Sequence, residues 1–225
     1  PGTNSLMGEV IGCSVAFFGA AIGVYVVGFT DVLSETTTED ADSSSDSDAA
    51  SAEYHSQLSQ MDTVYHISSP VTGTVLALSE VGDPVFARGT MGEGVAVEPT
   101  DNKVYAPFDG TIATVLPSKH AVGIISDDGV EVLVHIGLDT VALKGKPFTS
   151  HVKKGQHVEE GDLLVEFDSQ SILQAGYSLT TPVIITNTKR FADVVIHPST
   201  RTTHGNELMA VAATSPHQSQ LEGAK

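Results

Sequence analysis

The sequence predicts an all-β domain, an antiparallel sandwich or barrel with at most a short helix, preceded by one transmembrane helix and a disordered acidic linker. Three observations carry this. From about Thr63, short Val/Ile/Leu runs alternate with Gly, Pro and Asp turns, the texture of closely spaced antiparallel strands. A decapeptide recurs, Ser-Pro-Val-Thr-Gly-Thr-Val-Leu-Ala-Leu at 69–78 and Ala-Pro-Phe-Asp-Gly-Thr-Ile-Ala-Thr-Val at 106–115. Two copies are too few for a solenoid and mark a duplicated strand–turn–strand unit. Upstream, residues 10–29 are uncharged and mostly apolar, a run that as a helix spans about 30 Å, the thickness of a bilayer core.

The elements follow in order. Residues 1–29 read as one transmembrane helix of a bundle. Gly8, Gly12, Ala16 and Ala20 form a small-residue ridge that lets a second helix approach closely, so further helices are expected upstream. A chain opening on Pro fits a fragment, a processed product or a misplaced gene start. Residues 30–62 are rich in Ser, Thr, Asp and Glu; such a stretch buries too little apolar surface to offset its ordering entropy and reads as a flexible tether. Residues 63–197 form the β-domain, with a short helix over 168–176 capped by Asp168. Residues 198–225 read as a mobile polar tail.

Charge and cysteine content exclude several functions. The net charge is −17, and residues 1–62 hold ten acids and no Lys or Arg. An acidic surface repels nucleic-acid phosphate, so no nucleic-acid partner is expected. A single cysteine, Cys13, rules out an intramolecular disulfide and a cysteine-based zinc site. Both flanks of the apolar run lack Lys and Arg, so charge alone gives no membrane topology.

The informative segment runs from Leu116 to Gly137. Two apolar runs flank Asp127-Asp128-Gly129, and Asp-Gly signals a two-residue hairpin turn. With Asp128 and Gly129 at the turn, His135 falls opposite Val122 and His120 opposite Gly137. The two histidines are then diagonal neighbours on one sheet face, about 7–8 Å apart by backbone. Val132, Val134 and Ile136 point to the other face, into the core. A neutral imidazole is a good nucleophile near neutral pH. A second, protonated imidazole can donate to the oxygens of a transferring phosphoryl group, a reaction that asks mostly for positioning and charge stabilisation. A zinc site is the other chemistry open to this pair, with Glu131 on the same face as the nearby third ligand. The remaining histidines (His55, His66, His151, His157, His197, His204 and His217) read as solvated.

The run Glu-Val-Leu-Val-His135-Ile-Gly-Leu-Asp-Thr-Val-Ala-Leu-Lys-Gly closely resembles the active-site signature of glucose-type enzyme IIA domains of the bacterial sugar phosphotransferase system. Ser-Pro-Val-Thr-Gly, Asp-Pro-Val-Phe-Ala, Gly-Glu-Gly-Val-Ala-Val-Glu-Pro, Ala-Pro-Phe-Asp-Gly and Gly-Asp-Leu-Leu-Val-Glu-Phe-Asp match that family in the same order, over about residues 67–187. The resemblance implies that His135 accepts the phosphoryl group, that His120 supports it, that Ser118 holds the His120 ring and that backbone at Gly137 orients His135. It implies docking of partners on an apolar collar. Phe86 matches that collar, while Leu116 and Leu133 stand where the family often has Phe, and Gly123 replaces a larger apolar residue. The implied partners are the phosphocarrier protein HPr as donor, a IIB domain as acceptor and the IIC membrane domain, with no cofactor and no metal. A membrane helix leading through a tether into a IIA domain resembles the β-glucoside, sucrose and trehalose permeases, which implies that residues 1–29 are the last helix of a truncated IIC domain. The cytoplasmic donor then places the IIA domain on the cytoplasmic side of the cell membrane. A zinc metallopeptidase of the related barrel-sandwich group needs a third ligand and an exported domain. A regulatory docking module shares the collar and is compatible with relay. A lipoate or biotin carrier needs a lysine at a hairpin tip, where this chain has Asp128-Gly129.

Overall fold

A computed structural model of the protein describes residues 44–213. The expected membrane helix and the first part of the expected tether lie outside the described residues. No described helix is long and apolar enough to cross a membrane.

The described chain is built from three antiparallel sheets. The largest has eight strands: β13 (Arg201–Thr202), β2 (Gly73–Ala77), β3 (Glu93–Pro99), β11 (Thr181–Ile185), β7 (Glu131–His135), β6 (Ala121–Ser126), β5 (Gly110–Val115) and β9 (His157–Val158), in that spatial order. A second sheet runs β4 (Lys103–Tyr105), β10 (Leu163–Phe167), β8 (Phe148–Ser150). The third runs β1 (Val64–Ser68), β14 (Glu207–Ala213), β12 (Phe191–Ile196). Three helices join them: α1 (Ser44–Leu58), α2 (Pro84–Ala87) and α3 (Ser169–Gln174). The predicted antiparallel β architecture holds.

Alternation sets the core. On β7, Val132 and Val134 are buried while Glu131, Leu133 and His135 are only partly covered, and Ile136 just beyond is buried again. Their core partners include Val122 and Ile124 of β6, Ile112 of β5 and Val183 and Ile185 of β11. All five residues of β11 are buried, as expected of a strand covered on both faces. The repeated decapeptide has a packing reason. A Cβ on Gly73 would stand 2.0 Å from the Glu98 carbonyl oxygen, and one on Gly110 2.3 Å from that of Ile125. Each copy starts its strand where a neighbouring backbone passes too close for any side chain.

Three expectations are corrected. The two-residue hairpin becomes a three-residue loop: Ser126 N–H donates to the Val130 carbonyl at 2.8 Å, and Gly129 has φ +86°. The extra loop residue moves the register by one, so His135 pairs with Ala121 and Val134 with Val122. Residues 198–213 belong to the domain: β14 lies between β1 and β12, and Leu208, Met209, Ala210, Val211 and Ala212 are buried. The apolar run Leu-Met-Ala-Val-Ala-Ala was outweighed in the sequence by its polar flanks. The end of the expected tether is also structured. Helix α1 carries Tyr54, only 3% exposed, whose hydroxyl donates to Glu207 at 2.7 Å while its ring meets that of His197 edge-on at 4.9 Å. His66 Nδ1 contacts the same carboxylate. One aromatic anchor holds a helix that has no apolar stripe of its own.

Candidate active site

The site lies where β6 begins and β7 ends. Between Leu116 and Ala121 the chain makes a tight loop: Leu116 N–H donates to the Ala121 carbonyl at 3.0 Å and Lys119 N–H to the Leu116 carbonyl at 2.7 Å. Lys119 takes a left-handed φ of +57°. His120 comes out of this loop just before the strand, and its carbonyl accepts Ile136 N–H at 2.7 Å. In a regular continuation of the strand, the observed register would turn His120 to the core side with Ile136. The turn instead brings its ring to that of His135, edge to face, with centroids 4.7 Å apart. The expected convergence is present, reached by a loop and not by strand alternation.

Each ring is fixed by its Nδ1. His135 Nδ1–H donates to the Gly137 carbonyl at 2.8 Å. A carbonyl oxygen can only accept, so the neutral ring keeps its proton on Nδ1 and leaves Nε2 as a bare lone pair. His120 Nδ1 meets the Ser118 hydroxyl at 2.7 Å. His120 is 3% exposed, whereas His135 is partly open to solvent.

The two peptides that flank Gly137 are each held by a hydrogen bond. Gly137 has φ +70°, and a Cβ there would meet the Ser178 carbonyl oxygen and Thr140 Cγ2, each at 2.5 Å. Thr140 Oγ1–H donates to the Ile136 carbonyl at 2.6 Å, and Leu138 N–H donates to that of Ser178 at 3.3 Å.

Electrostatics keep both rings neutral near pH 7. Burial, then the neighbouring His135, brings His120 from 6.5 down to about 4. Burial also lowers His135; the Gly137 carbonyl and the Asp83 and Asp139 carboxylates partly oppose it. Asp83 caps α2, accepting Val85 N–H at 2.7 Å, and so sits beside the site for a structural reason. Asp139 follows Gly137 by two residues in a left-handed turn, φ +57°. The sequence reading missed both carboxylates; Asp83 carried a signal in the Asp-Pro helix start.

Of the three expected collar residues, Phe86 makes ring contact with the site. Phe86 is buried with its ring centroid 5.1 Å from that of His135. Leu133 lies two residues before His135 on β7, partly covered, and Leu116 is exposed at the start of the His120 loop. Val85 on α2 and Val141 in the turn Thr140–Leu143 are also exposed, at 49% and 57%. Phe148 lies behind His120 at 6.4 Å.

The chain is similar to known proteins in sequence and in structure. The family described as phosphoenolpyruvate-dependent sugar phosphotransferase system, EIIA 1, matches residues 65–191. A β-glucoside-specific EIIBCA component of Halalkalibacterium halodurans is 47% identical over 143 residues, 64% of this chain and 22% of that protein. The corresponding component of Bacillus subtilis is 43% identical over 183 residues, 81% of this chain and 27% of that protein. Glucose permease IIA from Mycoplasma capricolum has a similar structure, with a TM-score of 0.60 and 36% identity over 66% of this chain and 96% of that one. The chain spans about a quarter of the length of the curated relatives it matches.

Proposed function

Because the chain belongs to the EIIA 1 family of the phosphoenolpyruvate-dependent sugar phosphotransferase system, we propose that His135 is its phosphoryl acceptor and His120 the group that stabilises the transfer. The observation that carries the assignment is the tautomer: the Nδ1 proton of His135 is committed to Gly137, which leaves Nε2 to attack. The Nε2 lone pair forms the new N–P bond as the bond from phosphorus to the donor nitrogen breaks. His120, with Ser118 donating to its Nδ1, turns an Nε2–H toward the equatorial oxygens and stabilises their charge. A dianion arriving beside a ring held near pKa 4 favours protonation of that ring, and the Ser118 hydroxyl then rotates to accept from the new Nδ1–H, so charge on His120 builds up as phosphate arrives.

The donor is the phosphocarrier protein HPr. The acceptor is a cysteine of a IIB domain, from which phosphate reaches incoming sugar. The names of the relatives support a β-glucoside-type IIBCA permease, with the IIA domain tied to its IIC domain; a cytoplasmic donor then puts the IIA domain on the cytoplasmic face of the cell membrane. Phe86, Leu116 and Leu133, joined by Val85 and Val141, form the apolar surface on which donor and acceptor dock in turn.

Incubation with phosphoenolpyruvate, enzyme I and HPr should give an acid-labile, base-stable phosphoprotein. His135→Ala should abolish the label. His120→Ala should accept phosphate and pass it on poorly. Label surviving in His135→Ala would overturn the assignment.

A further inference from the structure

A second line of hydrogen bonds leads away from the Gly137–Leu138 peptide. It starts at Ser178, whose carbonyl accepts Leu138 N–H and closes the space beside Gly137. Thr180 N–H donates to Ser178 Oγ at 3.0 Å, and the two hydroxyl oxygens are 2.6 Å apart. Thr180, 7% exposed, also contacts Glu98 of β3 through its hydroxyl. The direction of the line is set at its carboxylate end. An ionised carboxylate only accepts, so the Thr180 hydroxyl must donate to Glu98. Its one proton is then used, so the Ser178 hydroxyl must donate to Thr180 Oγ1. Both hydroxyl protons of the 178–180 turn are committed, and the bond to Glu98 is charge-assisted.

We propose that Thr180 and Glu98 are positioning residues for His135. They fix the Ser178 turn, the turn fixes the peptide between Gly137 and Leu138, and that peptide fixes the carbonyl that holds the Nδ1 proton of His135. Strand order makes the coupling direct. β3 and β7 both pair with β11, which begins at Thr181, immediately after this turn. Neither residue touches the ring, and neither belongs to the motif around His135. The inference rests on His135 being the phosphoryl acceptor.

The test uses the full 225-residue chain with 15N-labelled histidine and the variants Thr180→Val, Glu98→Ala and Glu98→Gln. Imidazole 15N shifts and the exchange of the Nδ1 proton with water report the His135 tautomer without any phosphotransfer. Thr180→Val and Glu98→Ala should speed that exchange about tenfold or more and slow phosphoryl acceptance from HPr about five- to tenfold. Glu98→Gln keeps an acceptor oxygen and should restore both to within about twofold. If Thr180→Val and Glu98→Ala lower only the melting temperature and leave exchange and acceptance at wild-type values, the residues are merely structural and the proposal fails. It fails equally if Glu98→Gln behaves as Glu98→Ala. Persistent label in His135→Ala would overturn the acceptor assignment while the exchange measurement still reads the brace, so the two failures separate.

Discussion

The carbonyl of Gly137 turns back to accept the Nδ1 proton of His135, only two residues earlier in the chain. That reversal uses a left-handed backbone at Gly137, with no room for a side chain between Ser178 and Thr140. A glycine here serves the chemistry of the histidine as much as the turn.

Gly137→Ala should therefore damage stability and transfer together. The added Cβ meets a backbone oxygen at 2.5 Å in a strained φ, a cost of about 2–4 kcal/mol. Urea unfolding should show that loss, and residual folded protein should accept phosphate more slowly as the ring loses its fixed tautomer.

Acid should weaken the fold through the same histidines. His120 is held near 4 in the folded chain and returns to its ordinary 6.5 on unfolding, so between these values the unfolded chain binds a proton that the folded chain refuses. Stability is full above about pH 6.5 and falls as the pH drops toward 4. His135, lowered in the same direction, adds to it. His120→Asn should flatten this dependence, seen as a smaller gap between urea midpoints at pH 7 and pH 4.5.

Ser118 matters for onward transfer. Ser118→Ala removes the partner of His120 Nδ1, a loss of about 1–1.5 kcal/mol in a charge-stabilising role. Loading of His135 should change little, whereas discharge to a IIB domain should slow by about tenfold in single-turnover measurements.

The C-terminal strand should prove indispensable. A chain stopped after His197 loses β14 from the middle of its sheet, and with it Leu208, Met209 and Val211, each buried and worth about 1.5–3 kcal/mol. Such a loss is comparable to the whole stability of a domain, about 5–15 kcal/mol. Circular dichroism of that truncated chain should show no cooperative melt.

Helix α1 should come off alone. Tyr54→Ala removes its anchor, and amide exchange over Ser44–Leu58 should lose protection while the strands keep theirs. Tyr54→Phe keeps the ring but drops the bond to Glu207, about 1 kcal/mol, and should give an intermediate result. Burial and the Glu207 carboxylate raise the Tyr54 phenol far above its ordinary value, so it stays a donor at any working pH.

The sequence carried the chemistry further than the geometry. His120 and His135 were legible as a pair on one short segment, and Ser118 and Gly137 entered through the family resemblance alone; the loop at Lys119 that brings the two rings together carried no signal in the spacing. Asp168 was legible as a cap, and it accepts Ser171 N–H at 3.1 Å at the start of α3. The register itself was not, because Asp-Asp-Gly serves a two-residue and a three-residue loop alike, and only the packed faces decide between them. Helix α1 was invisible for a different reason. Its composition is that of a solvated linker, and one distant contact, Tyr54 to Glu207, supplies what composition lacks.

The pairing of β1 with β14 has a practical meaning. Ala213 N–H donates to the Thr63 carbonyl at 2.9 Å, so the polypeptide enters and leaves the sandwich at almost the same point. A module with adjacent ends can be spliced into a surface loop of an unrelated carrier, or cut elsewhere and rejoined across that gap, without tearing its sheets.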